Sequence, residues 1–194
     1  MLTAYIDFKS AASYLALAPT LALAAETGTT IQWLPFSSRP FKIPAEKPEE
    51  TVGDRHRRVR AIAQRDTHLH YAKAHGIAMH FRESAHGADA ALAALAAVVT
   101  NSDNDPLPFI TAAFAAYWEA QKNLDDPIIV QELLDTAGLV VAETDRTQEA
   151  LDRLRDTALE QGIFETPTYV IDEQRFLGRE HLPWLRALIA DYQR

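Results

Sequence analysis

The sequence predicts an α/β fold with an all-helical insertion, and three observations lead to that prediction. Residues 2–8 (LTAYIDF) and 30–36 (TIQWLPF) are apolar runs of strand length around an alanine- and leucine-rich stretch of helix length. Residues 168–172 (TYVID) and 175–177 (RFL) have the composition of a hairpin and precede a terminal helical pattern. The middle of the chain shows helical patterns. The expected order is βαβ, a block of helices, and then αββα.

The first three elements predict where a ligand would bind. The first helix begins at Ser10, directly after the first strand. Two parallel strands joined by a helix need a right-handed crossover, which brings the carboxyl ends of the strands and the amino end of the helix to one edge of the sheet. Ligands usually bind at that edge. Residues 37–50 follow the second strand and contain three prolines, so we expect them to form a loop beside the site.

Helical patterns fill the middle of the chain, at residues 54–75, 87–100, 107–122 and 127–137. The fourth pattern has Asp126 as its cap and Pro127 in its first turn. A further helix is predicted to begin at Asp145, where Gln148 completes a capping box, and to end at Gly162. Three aromatic side chains are predicted to lie in the core: Trp33, Phe36 and Trp184.

Composition excludes several classes of protein. Of 194 residues, 27 are acidic and 19 are lysine or arginine, which gives a formal net charge of −8, and 47% are hydrophobic. These values are typical of a globular domain and exclude a disordered, collagen-like or disulfide-rich chain. The acidic balance argues against broad nucleic-acid binding, although a local basic run could hold a small anion. That run consists of Arg55, His56, Arg57, Arg58 and Arg60.

The chain contains no cysteine, which excludes thiol nucleophiles, thiolate metal sites and disulfides, so any redox chemistry must come from a bound thiol or cofactor. His68, His70 and His75 share one helical pattern, but their spacing separates them, and we expect no metal site. Residues 11–25 are apolar like a secretory signal, yet a strand carrying Asp7 precedes them, and no segment reaches about 18 uninterrupted apolar residues. We therefore expect a cytoplasmic protein that does not enter a membrane.

The βαβαββα order is the thioredoxin arrangement, and a helical insertion in its middle resembles the DsbA branch of that superfamily. Residues 5–16 (YIDFKSAASYLA) resemble the opening segment of 2-hydroxychromene-2-carboxylate isomerases and kappa-class glutathione transferases. Residues 162–172 (GIFETPTYVID) and 176–180 (FLGRE) resemble the proline-containing segment of these families and its sequel. The implied domains are a thioredoxin-like domain of residues 1–50 and 140–194 and an inserted helical domain of residues 51–139.

Ser10 and Ser13 stand where redox relatives of this fold place the two cysteines of a Cys-x-x-Cys motif. The resemblance therefore implies that a hydroxyl at the helix start donates to an external thiolate, that of glutathione. A hydrogen bond to a charged group contributes about 1.5–3 kcal/mol and a helix terminus about 0.3–2 kcal/mol, which together lower a thiol pKa by roughly one to three units. The alternatives are that Ser10 only caps the helix and that Ser13 only bonds within its first turn.

The proline-containing segment supplies the other side of the implied site. In the isomerases the proline equivalent to Pro167 follows a cis bond and faces the helix start. The resemblance implies that the backbone of Thr166 pairs with the cysteinyl unit of glutathione in the manner of an added strand. Glu180 stands where relatives hold an acid against the glutamyl end of glutathione, although an acid at a helix start also interacts favourably with the helix dipole.

Two basic residues complete the implied set. Lys42 matches a Phe-Lys pair in the site loop of the isomerases, and Arg60 falls where they carry a lysine. Either would hold a carboxylate, or be an ordinary solvated cation. The chain departs from the family at Glu46, where relatives have an asparagine that contacts glutathione, and at Glu165, where they have a glycine.

The sequence thus favours a glutathione-dependent cis–trans isomerase similar to 2-hydroxychromene-2-carboxylate isomerase, acting on an unsaturated aromatic keto acid. Many relatives are dimers, so we expect a homodimer with a small-molecule aromatic acid as substrate and no nucleic-acid partner. Two alternatives stay open: a kappa-like glutathione transferase, and a cysteine-free DsbA-like binding protein without catalysis. Glu46 and Glu165 favour the binding protein, whereas Ser10 with Lys42 and Arg60 favours the enzyme.

Overall fold

A computed structural model describes residues 1–81, 86–101 and 103–192, and a four-stranded mixed sheet lies at its centre. The strands are β1 (Leu2–Ile6), β2 (Ile31–Pro35), β3 (Thr168–Ile171) and β4 (Gln174–Leu177). Their order across the sheet is β2-β1-β3-β4. β1 is parallel to β2, whereas β3 is antiparallel to both β1 and β4. The sheet has the predicted combination of a βαβ unit with a β-hairpin.

Seven α-helices surround the sheet in the described residues: α1 (Ala11–Thr27), α2 (Val52–Ala74), α3 (Asp89–Thr100), α4 (Leu107–Trp118), α5 (Pro127–Thr136), α6 (Gln148–Glu160) and α7 (Leu182–Tyr192). Two short 3₁₀ turns, Glu143–Asp145 and Arg179–His181, precede α6 and α7. The described helices lie where the sequence patterns predict them, so the α/β fold with a helical insertion is confirmed. The assignment of residues 51–139 to a separate domain stays a prediction.

Helix ends differ from the prediction where local backbone geometry decides them. α4 stops at Trp118 and not at residue 122, because Gln121 adopts a left-handed conformation (φ 55°) that interrupts the helix. The predicted cap of α6 at Asp145 is wrong, since Asp145 ends a 3₁₀ turn. The cap is Thr147, whose hydroxyl accepts a hydrogen bond from the Ala150 N–H at 3.1 Å.

The two faces of β1 contribute to different parts of the core. Leu2, Ala4 and Ile6 face the larger hydrophobic cluster, and Tyr5 joins a smaller cluster with Ala158 of α6. This alternation is the expected consequence of the two-residue period of a strand. Both Trp33 and Phe36 are buried, as predicted, but Trp184 is 57% exposed. The core prediction for Trp184 is wrong because Leu182, Leu185 and Ile189 form the buried face of α7 and Trp184 lies beside that face.

Helix α4 holds the junction between β1 and α1 in place. The ring of Phe8 contacts Phe114 edge-to-face, with centroids 5.1 Å apart. The indole Nε1–H of Trp118 donates a 2.9 Å hydrogen bond to the carbonyl of Phe8, and the Tyr14 ring stacks on the same indole. The start of α1, with Ser10, is therefore fixed by packing from the insertion. None of the helices in the described ranges is both long and apolar enough to cross a bilayer.

Candidate active site

Ser10 occupies the junction between β1 and α1 and makes two hydrogen bonds there. Its backbone is extended (φ −85°, ψ 112°), which is the conformation of a helix cap. Its hydroxyl oxygen accepts from the Ser13 N–H at 3.2 Å, so the capping role is present. The same hydroxyl donates to the Thr166 carbonyl at 3.0 Å. The helix start and the segment before β3, 156 residues apart in the chain, are thus joined at one point.

The Thr166–Pro167 peptide bond is cis, as the resemblance implies. The Pro167 carbonyl accepts from the Gly178 N–H at 2.8 Å, which links this segment to the end of β4. Thr166 is only 8% exposed, and its hydroxyl has no hydrogen-bond partner within the described ranges. The Ser10 hydroxyl, the Thr166 backbone and Gly178 therefore lie next to one another along one edge of the molecule.

The structure places Ser13 differently from Ser10. Ser13 is only 1% exposed, and its hydroxyl lies 3.5 Å from the Asp7 backbone N–H, which donates to it. The side chain is enclosed below the helix start and has almost no surface to offer a ligand. The contact of Ser13 with glutathione stays a prediction, and this burial does not support it.

Glu180 lies in the 3₁₀ turn before α7, close to the Pro167 segment. Gly178, whose N–H bonds to Pro167, has φ 85°, and a Cβ atom on it would lie 2.3 Å from the Glu180 carboxylate. Glycine at this position therefore lets the carboxylate fold back toward the site edge. The neighbouring Arg179 guanidinium lies 3.8 Å above the Tyr71 ring, a cation–π contact that holds α2 against this turn.

Lys42 and Arg60 belong to different elements, the loop after β2 and helix α2. Lys42 is exposed and lines a cavity with Lys9 and Arg39, whereas Arg60 is exposed on α2 and does not line that cavity. That either residue holds a carboxylate of glutathione stays a prediction.

Two arginines of the basic run at the start of α2 form ion pairs with acids. Arg58 makes a two-pronged ion pair with Glu50 at 2.9 Å, and Glu46 lies 3.7 Å from the same guanidinium. Arg57 pairs with Asp54 at 2.6 Å. These ion pairs neutralise the charges of Arg57 and Arg58, so they weaken the predicted anion site at this run. The acid at position 46 likewise faces a cation, which reduces its repulsion toward an anionic ligand.

The described residues contain no group of three histidine or acidic side chains that could hold a metal ion. His68 is instead a buried residue whose ring lies parallel to that of Phe81, with centroids 6.4 Å apart. Burial lowers the pKa of His68, and the positive charge of Arg179 acts in the same direction. Both effects favour the neutral imidazole.

Residues 1–190 match the family model of the DSBA-like thioredoxin domain. The chain belongs to this family. It matches no curated protein sequence. Solved structures resemble this DSBA-like protein closely in fold and distantly in sequence. A 2-hydroxychromene-2-carboxylate isomerase superimposes with a TM-score of 0.77 at 18% identity, over 100% of this chain and 96% of that one.

Two further structures show the same fold in oxidoreductases. A probable DsbA oxidoreductase from Streptomyces coelicolor has a TM-score of 0.70 at 18% identity, over 98% of this chain and 88% of that one. A cytosolic disulfide reductase, DsbM from Pseudomonas aeruginosa, solved with GSH, has a TM-score of 0.62 at 16% identity, over 100% and 98%. The same architecture thus occurs in an isomerase and in oxidoreductases.

Beside the Ser10 site, the DSBA-like protein contains a buried charge network that sequence reasoning missed. Asp7 is fully buried and accepts hydrogen bonds from the Lys9 N–H at 2.9 Å and from the Ser38 N–H and hydroxyl at 2.8 and 2.6 Å. The Lys9 ammonium lies 3.7 Å from Asp7 and hydrogen-bonds to Asp89 and to Ser37. The sequence indicates this network by one feature, Asp7, an aspartate that directly follows an apolar strand.

The network shifts both carboxyl groups. Burial raises the pKa of Asp7, and the charge of Lys9 and the Ser38 hydroxyl only partly oppose it. Burial also pushes the pKa of Asp89 upward, but the hydrogen bond and charge of Lys9 outweigh it, so that the pKa of Asp89 is lowered. Lys9 therefore favours the charged form of both acids.

Proposed function

We propose that this DSBA-like protein is a glutathione-dependent cis–trans isomerase that acts on a small unsaturated aromatic keto acid. The observation that carries the proposal is the 3.0 Å hydrogen bond from Ser10 to the carbonyl before cis Pro167, in a chain without cysteine. A hydroxyl at a helix start, in contact with the backbone carbonyl before a cis proline, fits a thiol brought by another molecule. Glutathione would supply a thiolate that adds reversibly to a double bond and so permits rotation about it.

The chain's own residues would hold that thiol by exchanging hydrogen bonds. The Ser10 hydroxyl now donates to the Thr166 carbonyl, and it would turn to donate to a sulfur anion. The Thr166 carbonyl would then accept from the backbone N–H of a bound cysteinyl unit, so that no polar group loses its partner. The Ser10 hydroxyl and the amino end of α1 would together lower the thiol pKa by roughly one to three units.

Glu180 and the neighbouring elements would fix the rest of glutathione. The carboxylate of Glu180 is exposed and lies two residues from the Gly178 N–H that contacts Pro167, a suitable position for an amino group at the glutamyl end. The similarity to an isomerase, and to a reductase solved with GSH, supports a thiol ligand for this fold. We further propose a cytoplasmic location, for which the cytosolic reductase is the supporting parallel, and a homodimer.

A kappa-like transferase would use the same thiol contacts. A binding protein without turnover is the second candidate, and a specific observation favours it: Ser10 already has a complete role as a cap and as a link to Thr166. Glu165 is also exposed next to Thr166, and its charge disfavours an anion there.

Calorimetric titration with reduced glutathione tests the proposal. We expect saturable binding at millimolar ligand or below, and an ultraviolet thiolate absorbance of bound glutathione that titrates below the pKa of the free thiol. In Ser10→Ala this titration should move to higher pH, while Thr147→Ala, which removes the cap of α6, leaves it unchanged. Absence of binding to the unmodified protein would overturn the glutathione assignment. Binding of glutathione without cis–trans isomerisation of an unsaturated aromatic keto acid would favour the binding protein.

A further inference from the structure

A concave surface lies at the same end of the sheet as Ser10, but Ser10 does not line it. A cavity of about 410 Å³ opens between the loop after β2, the start of α3 and the side of α6. Small-molecule sites commonly have volumes of about 300–1,000 Å³. Five lining residues can carry positive charge, and Asp89 is the acid among the described lining residues. The five are Lys9, Arg39, Lys42, His86 and Arg155.

The charges around this cavity are not balanced. The Lys9 ammonium forms ion pairs with Asp89 and Asp7. Arg39 and Lys42 have no carboxylate within ion-pair distance in the described ranges. Two permanent cations therefore face a concave surface without a counter-charge from the described residues, in a protein whose net charge is −8. A concave wall of low dielectric concentrates the field of such charges.

A third cation, Arg155, lies on the side of the cavity that α6 forms. It lies near two acids of its own helix, Asp152 at 3.3 Å and Asp156 at 3.4 Å. Those contacts lie on the exposed surface of α6, where ion pairs are weak and screened by solvent. The guanidinium of Arg155 also lowers the pKa of Asp89 by its charge, although less than Lys9 does, so part of its field reaches the cavity.

The loop that bears the uncompensated cations is held by the buried network. Ser37 donates to Asp89 at 2.9 Å, and Ser38 donates to Asp7 through both its hydroxyl and its backbone N–H. Arg39 follows directly on this double anchor. A binding loop that is fixed before the ligand arrives loses less entropy on binding.

We propose that this cavity binds a small dicarboxylate. Two uncompensated cations match two negative charges, and a guanidinium pairs with a planar carboxylate through two parallel hydrogen bonds. The amino end of α3 contributes little directly, because its Ala90 and Ala91 N–H groups already donate to Asp125 and to the Leu124 carbonyl. The site is separate from the contact of Ser10 with Thr166 and does not depend on isomerase activity.

Calorimetric titration with phthalate and with succinate, at low ionic strength, tests this site. We expect at least one of them to bind with a stoichiometry of one per chain, and binding to weaken as salt is added. Arg39→Gln and Lys42→Gln should each weaken binding about tenfold, the effect of losing one charge-assisted hydrogen bond. Both residues are exposed, so their variants should melt like the unmodified protein.

Arg60→Gln is the matched control, since Arg60 is an exposed cation outside the cavity. It should leave the dissociation constant within about twofold, the size of a change in net charge alone. Equal weakening by Arg60→Gln and Arg39→Gln would overturn the proposal, because the effect would then be a general one of charge. Inorganic phosphate is the third anion to be titrated. If phosphate binds and neither dicarboxylate does, the proposed ligand class is overturned. Absence of binding by all three anions would overturn the site.

Discussion

Substitution of Ser10 separates its two hydrogen bonds. Glycine caps a helix almost as well as serine, so Ser10→Gly keeps most of the cap and loses the bond to the Thr166 carbonyl. Ser10→Ala loses both. A lost cap costs about 1 kcal/mol and a lost internal hydrogen bond about 0.5–1.5 kcal/mol. We therefore expect the free energy of unfolding to fall by about 1 kcal/mol in Ser10→Gly and by about 2 kcal/mol in Ser10→Ala.

The cap of α6 provides the comparison. The Thr147 hydroxyl is exposed and accepts from the Ala150 N–H, the one contact recorded for it within the described residues. Thr147→Gly should therefore cost only a few tenths of a kcal/mol and Thr147→Ala about 1 kcal/mol. Urea unfolding of all four variants measures these values. Equal losses in Ser10→Gly and Thr147→Gly would refute the reasoning, because the link from Ser10 to Thr166 would then contribute nothing.

Three further predictions concern charge at the same edge and in the core. In Lys9→Met the buried carboxylate of Asp7 loses its counter-charge, at a cost of about 3–5 kcal/mol at pH 7. Burial raises the pKa of Asp7 and the charge of Lys9 opposes that rise, so without Lys9 the pKa rises further and urea unfolding should show a loss that grows as the pH rises from 4 to 7; a loss independent of pH would contradict it. Burial raises the pKa of Tyr169 to about 12, so stability should decline between pH 10 and 12 more steeply in the unmodified protein than in Tyr169→Phe, and equal declines in urea unfolding would contradict this. In Ser10→Cys the helix start should lower the thiol pKa below about 8.5, measured by thiolate absorbance, whereas a normal pKa would remove the electrostatic basis of the site.

Much of the candidate site can be predicted from local sequence. A serine at the first turn after an apolar strand predicts the cap at Ser10, and the segment around Pro167 predicts the cis bond through its resemblance to a family. The burial of Ser13 could not be predicted in this way, because both serines belong to the same turn and only the path of the chain from Asp7 covers one of them. Trp184 was missed for a similar reason, since its side of α7 lies beside the buried face.

The sequence alone determined the order of strands and helices, the helix cap and the absence of a thiol, because these depend on neighbours within a few residues or on composition. Tertiary structure decided which distant groups meet. The hydrogen bond from Ser10 to Thr166 spans 156 residues, and the ion pair of Lys9 with Asp89 spans 80. It also placed Lys42, but not Arg60, in the lining of the cavity beside Lys9. Such contacts depend on how packed elements close against each other, and no local pattern of residues specifies that geometry.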